Sequence, residues 1–213
     1  MSKAFSFGVE ATAARVGCVF VHGRGQTPED IADLVLGRLS TPVAAYRLPR
    51  ASGKSWYKAR AIDPLTERTE VQLAAALDAV GTAVAELRAA APGRPLLLAG
   101  FSQGACVALE WACSQGAWPG ALAVLTGCRV GVRTERPVAR LDRLPVYATC
   151  GDEDPWIPLD AFAAATVSLG HAGARVRAEV FPGRTHEVSE HEIGALDAIL
   201  AALAAGRPPF DAP

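Results

Sequence analysis

The stretch "LLLAGFSQGACVALEW", Leu96 to Trp111, places one serine between two glycines where an apolar run gives way to residues with helical spacing. Ser102 is the centre of a G-x-S-x-G pattern, Gly100 to Gly104. On a strand-to-helix turn, this pattern strains the serine backbone and demands small residues two before and two after it. It also aims a helix N-terminus at the hydroxyl. Such a serine is suited to nucleophilic attack. The competing reading is an ordinary helix N-cap, and the rest of the chain has to decide between them.

A serine hydroxyl needs a base, and the chain offers His22, His171, His186 and His191. His186, in "FPGRTHEVSE", follows the last strand-like segment, where a loop can hang an imidazole over the edge that carries Ser102. His22 precedes "GRG" and is expected to shape that loop. His171 lies at a helix end. His191 falls in a first helical turn, a poor place for an imidazolium. The spacing His186, Glu187, His191 is one residue longer than H-E-x-x-H, so no metal is expected. An acid must orient the base, and "TCGDEDPWIP" supplies Asp152, Glu153 and Asp154. Asp154 is the candidate, since the following Pro155 favours an extended backbone. Asp152 is expected to bond its own loop as an Asx-type turn, and Glu153 to be solvated. The order Ser102, Asp154, His186 suits a nucleophile–acid–base triad. Donors for a developing oxyanion are expected from the backbone N–H groups of Gln103 and of Arg24 in "HGRG".

These loops must be held by elements that alternate along the chain. "RVGCVFV" (15–21), "VAAYRLP" (43–49), Leu96 onward, "ALAVLTG" (121–127), "PVYATCG" (145–151) and "ARVRAEVF" (174–181) read as strands, five or six in all. A helix capped by Thr27, with Pro28 at its first position, is expected to bury Ile31, Leu34, Val35 and Leu39. A second starts near Thr69, with Thr69 and Gln72 as a capping box, and ends before Pro92 and Gly93. A third follows Ser102, and a fourth runs through about Leu169. A last helix is boxed by Ser189 and Glu192 and runs to Gly206. Val176, Ala178 and Val180 alternate as on a strand near a sheet edge. This alternation predicts an α/β fold with a mostly parallel sheet, helices on both faces, and function at the carboxyl ends of the strands.

At 213 residues, half of them hydrophobic, the chain is expected to form one domain over 1–213, with a core over about 15–205 and a frayed tail at 207–213. A net charge of -1 gives no global field for nucleic acid or an anionic membrane. Five cysteines without a C-x-x-C pair argue against a disulfide framework or zinc, and for buried thiols in a reducing cytoplasm. With no signal peptide and no spanning segment evident, the expected location is cytoplasmic.

Taken together, "HGRGQTPED", "GFSQGACVALE", "GDEDPWIP" and "THEVSEHE" resemble the phospholipase/carboxylesterase branch of the α/β-hydrolases, which includes the acyl-protein thioesterases. The resemblance spans roughly residues 15–205. It implies an eight-strand-type sheet trimmed to a minimal core without a large cap, no cofactor, and hydrolysis of carboxylic esters or thioesters. Position by position, it implies Ser102 as nucleophile, Asp154 as acid, His186 as base, and Arg24 and Gln103 as oxyanion donors. "GKSWYKA" (53–59) resembles a bacterial sub-branch in which a Ser-Trp-Tyr segment lines the pocket. Trp56, Tyr57 and Trp156 are therefore candidate substrate-binding residues, with plain core packing as the alternative. Arg24 replaces an apolar residue common in the acyl-protein thioesterases, and the loop at 50–60 carries Arg50, Lys54, Lys58 and Arg60 in place of a visible acyl tunnel. Arg24, Arg184 and some of these cations are expected to rim the mouth. The expected partner is a small-molecule ester or thioester of small to medium acyl length. Nucleic acid and a stable membrane anchor are not expected, and homodimerisation stays open. Two further readings stand beside this one: acyl transfer to another acceptor, which uses the same residues, and a non-catalytic hydrolase-fold ligand receptor.

Overall fold

The near-continuous apolar runs become strands covered on both faces. A computed structural model describes residues 4–118, 120–131 and 136–210. Its strands are β1 (Phe5–Gly8), β2 (Val16–Val21), β3 (Ala44–Leu48), β4 (Leu96–Phe101), β5 (Gly120–Leu125), β6 (Pro145–Gly151) and β7 (Arg175–Phe181). They form a seven-stranded sheet in the order β1-β3-β2-β4-β5-β6-β7, in which β1 runs antiparallel to β3 and every other pair is parallel. The helices are α1 (Pro28–Leu34), α2 (Glu67–Ala90), α3 (Gln103–Gln115), α4 (Leu159–His171) and α5 (Glu190–Ala204).

Alternate residues of each buried strand feed two cores. Val19, Val21, Leu98, Leu122 and Val124 pack with α2, α3 and α4 on one face. Cys18, Phe20, Leu97, Ala99, Ala123 and Leu125 pack with Ile31 of α1 and Ile193, Leu196, Ile199 and Leu200 of α5 on the other. Each large aliphatic side chain fully buried here contributes about 1.5–3 kcal/mol. The connection after β2 runs to β3 on one side, and the connection after β4 runs to β5 on the other. The crevice beyond the carboxyl ends of β2 and β4 is thus a topological switch point.

Several local expectations need correction. β1 had no sequence signal: four residues with Phe5 and Phe7 half-buried are too short to show a period. Helix α1 ends at Leu34, which is exposed, and a short 3-10 turn over Leu36–Arg38 buries Leu36 instead. Thr66, not Thr69, caps α2, its hydroxyl accepting from the Thr69 N–H at 3.2 Å. Thr69 is buried, and Gln72 accepts from the Lys58 N–H at 3.0 Å, tying the 50–65 loop to α2. Strand β7 is the sheet edge, as anticipated, but Ala178 and Val180 are exposed on it. Arg207 and Phe210 are docked, with the Arg207 N–H donating to the Ala202 carbonyl at 2.9 Å and Phe210 packing on Tyr147. Residues 211–213 of the tail expected to fray lie outside the described residues. All five cysteines are buried free thiols, and no helix among the described residues is long and apolar enough to cross a membrane.

Candidate active site

The serine turn is built from steric necessity. A Cβ on Gly100 would lie 2.4 Å from the Gly104 carbonyl oxygen, and a Cβ on Gly104 would lie 2.1 Å from that of Val21. Only glycine lets β2, β4 and α3 meet this closely. Ser102 between them has φ 57 and ψ −124, a left-handed conformation that costs a residue with a Cβ about 1–3 kcal/mol. Its N–H donates to the Leu125 carbonyl at 3.0 Å, and its carbonyl accepts from the Cys106 N–H at 3.1 Å, so β5 and α3 hold it. The hydroxyl makes no cap hydrogen bond to α3. Ser102 is the N-cap by position, but its side chain is turned away to other use.

That use is a relay with His186 and Asp154. The Ser102 Oγ lies 2.8 Å from His186 Nε2, and His186 Nδ1 lies 2.7 Å from Asp154 Oδ2. Since an ionised carboxylate only accepts, Nδ1–H donates to Asp154 and Nε2 accepts from the serine. The Asp154 side chain is fully buried. Its Oδ1 accepts from the N–H groups of Trp156 and Ile157 at 2.8 and 2.9 Å, fixing the carboxylate after β6. His186 also packs against the Phe101 ring, 5.1 Å between centroids.

The acid and base loops are braced to one another. The Glu153 N–H donates to the Arg184 carbonyl at 3.2 Å, and the Gly183 N–H donates to Asp152 Oδ1 at 2.6 Å. Asp152 therefore ties down the loop after β7, where the sequence suggested an Asx turn; Asp154 makes that turn. Arg184 is buried and turned inward, paired with the Glu192 carboxylate, donating to Thr126 Oγ1 at 3.3 Å and stacked over Phe181. It does not line the mouth. Glu192 also closes the α5 capping box and accepts from Thr149 Oγ1 at 2.5 Å. This buried network holds the loop that carries His186.

The other histidines have separate partners. His22 is buried: its Nδ1–H donates to the Gly23 carbonyl at 2.8 Å, its Nε2 accepts from the Ala51 N–H at 3.1 Å, and burial lowers its pKa. It is a neutral brace for its loop. His191 bonds Glu179 at 3.0 Å, well separated in role from His186. His171 is exposed at the end of α4. Among the described residues no group of three His, Cys, Asp or Glu is arranged to hold a metal.

The "HGRG" loop lies against the serine: a Cβ on Gly23 would stand 3.3 Å from Ser102 Cβ. Arg24 follows directly. Gln103 opens α3, so its N–H has no intrahelical carbonyl to meet. The Gln103 side chain has a role that spacing did not suggest. It is buried, its Nε2 donating to the Tyr57 carbonyl at 2.8 Å and its Oε1 accepting from the Trp56 N–H at 3.0 Å.

A cavity of about 370 Å³ opens over Ser102 and His186, walled by Tyr57, Trp156, Ile157 and Cys106, with Arg24, Lys58 and Arg60 also on it. Two of the three expected aromatics therefore reach the cavity. Trp56 does not: it turns behind the loop, donates Nε1–H to the His22 carbonyl at 2.8 Å, and faces a separate groove of about 890 Å³ beside α2. Cys106, on the wall of the cavity over Ser102, accepts at its sulfur from the Cys128 backbone N–H at 3.4 Å.

The family model for phospholipase/carboxylesterase matches residues 9–204. Among solved structures, the phospholipase/carboxylesterase of Dyadobacter fermentans is 31% identical, with TM-score 0.85 over 94% of this chain and 97% of that one. Esterase PE8 is 24% identical with TM-score 0.73 over 94% and 98%, and a Bacillus cereus carboxylesterase is 16% identical with TM-score 0.72 over 93% of each. No curated protein matches. The sheet and its helices are those of the α/β-hydrolase fold, and the chain belongs to the phospholipase/carboxylesterase family of esterase-type hydrolases.

Proposed function

We propose that the protein is a serine hydrolase that cleaves carboxylic esters or thioesters of small to medium acyl length through an acyl-enzyme on Ser102. The observation that carries this reading is the unbroken hydrogen-bond chain from Asp154 through His186 to a serine held at positive φ. In the reading, Ser102 Oγ attacks the substrate carbonyl while His186 Nε2 takes its proton. Asp154 keeps the imidazole in the tautomer that accepts at Nε2 and stabilises the imidazolium. The N–H groups of Arg24 and Gln103 receive the oxyanion, helped by the positive end of α3. His186 then protonates the departing alcohol or thiol. In the second half it activates water to release the acid and regenerate Ser102. The 370 Å³ cavity suits a small or medium acyl group.

Ser102→Ala is expected to lower kcat for a short-chain p-nitrophenyl ester by about 10⁴-fold or more and to abolish labelling by a fluorophosphonate. Labelling retained at another residue in the variant would refute the assignment of the nucleophile.

A further inference from the structure

The chain as a whole is nearly neutral, with a net charge of -1. The catalytic cavity is not: Arg24, Lys58 and Arg60 lie on it, with no Asp or Glu among its lining residues. Asp154, close behind it, has both oxygens occupied by His186 and by two backbone N–H groups. Asp63, near in sequence, points its carboxylate to the Arg60 N–H at 2.7 Å. Among the described residues, no carboxylate stands within ion-pair distance of the side chains of Arg24, Lys58 or Arg60.

The same loop shows what a paired cation looks like. Arg50 forms an ion pair with Glu29 and faces the groove beside α2 rather than the catalytic cavity. Arg24 is held in place without an acid. Its guanidinium donates to the carbonyls of Lys58 and Ala59 at 3.1 and 2.5 Å and to Ser55 Oγ at 3.3 Å, and its carbon sits 6.0 Å from the centre of the Tyr57 ring. Those carbonyls fix the position of its charge without cancelling it. A concave site lined by one sign of charge raises the local concentration of the opposite sign.

We infer that Arg24, Lys58 and Arg60 select a substrate carrying a negative charge, a carboxylate, in addition to the ester or thioester that Ser102 attacks. This rests on the hydrolase reading above and adds the substrate class. The carboxylate can reside on the acyl side or on the leaving group, and paired substrates separate the two. Monoethyl adipate against ethyl hexanoate tests the acyl side. 4-Acetoxybenzoate against its methyl ester tests the leaving-group side.

For at least one pair, kcat/KM is expected to favour the anionic member by about tenfold or more at low ionic strength. That preference should shrink as salt rises from about 0.02 to 0.5 M, because the Debye length falls severalfold. In a Lys58→Ala, Arg60→Ala double variant the preference ratio should drop by about tenfold, the loss expected when two cations near a bound charge are removed. A ratio of one or below for both pairs, or a preference indifferent to salt and to the double variant, overturns the inference. Binding of the same pairs to Ser102→Ala by calorimetry provides a readout that does not depend on turnover. Tighter binding of the anionic member upholds the charge selection even if wild-type protein turns over neither ester, a result that would count against the hydrolase reading alone. Equal binding of both members overturns the charge selection while turnover of the neutral esters leaves the hydrolase reading standing.

Discussion

Arg24 and Arg184 occupy similar places in the sequence, each within two residues of a histidine in a loop that follows a strand. The structure sends them in opposite directions. Arg184 is buried against Glu192, Thr126 and Phe181, behind the loop that carries His186. Arg24 is exposed on the cavity, bonded only to neutral oxygens. What separates them is a buried carboxylate. Glu192 is fixed by its own capping box, and a charge held there needs a cation. Among the described residues no acid pairs with Arg24, so its charge stays available to solvent and substrate. Proximity to a motif does not say which way a cation points; the location of the nearest buried acid does.

The sharpest way to break this contrast is Arg184→Ala. It leaves Glu192 buried and without its cation, and is expected to cost about 3–5 kcal/mol, read as a lowered urea midpoint. An unfolding curve superimposable on wild type would mean the buried pair does not hold the loop.

A smaller effect comes from the neutral neighbour of Arg24. Burial lowers the His22 pKa below its ordinary 6.5, so the native state binds fewer protons than the unfolded chain in the window below that value. The stability from His22 is fully present above about pH 6.5. It is lost as pH falls through the folded pKa, with a slope of at most about 1.4 kcal/mol per pH unit. Following the His22 ring by NMR alongside urea unfolding from pH 7.5 to 5 tests this. An ordinary titration near 6.5 would contradict it.

Arg24→Ala should have the smallest effect on stability, less than about 1 kcal/mol, because water replaces its exposed hydrogen bonds. Its expected signature is kinetic, a raised KM for carboxylate-bearing esters. A stability loss equal to that of Arg184→Ala would erase the distinction between the two arginines.

Much of the site was legible because its causes are local. Gly100 and Gly104 have to be glycine where backbones touch, and that leaves a pattern in the sequence. Asp154 and His186 lie just beyond strands whose apolar runs are long enough to read. Features that depend on distant partners were not legible. Nothing in "GFSQG" says that the Gln103 amide grips residues 56 and 57, or that Trp56 turns away from the cavity while Tyr57 faces it. β1 was too short to carry a period, and the cap of α2 was misplaced by one turn because Thr66 and Thr69 are both plausible caps three residues apart.

The Gln103 clamp has a thermodynamic consequence. Two hydrogen bonds across 46 and 47 residues fasten the cavity wall to the helix that begins at the nucleophile. Ordering a loop residue costs about 1–2 kcal/mol in lost conformational freedom. For this wall that cost is met once, during folding, and is not subtracted from the affinity for each substrate. A short ester, which has few atoms with which to bind, gains most from arriving at a surface already in place.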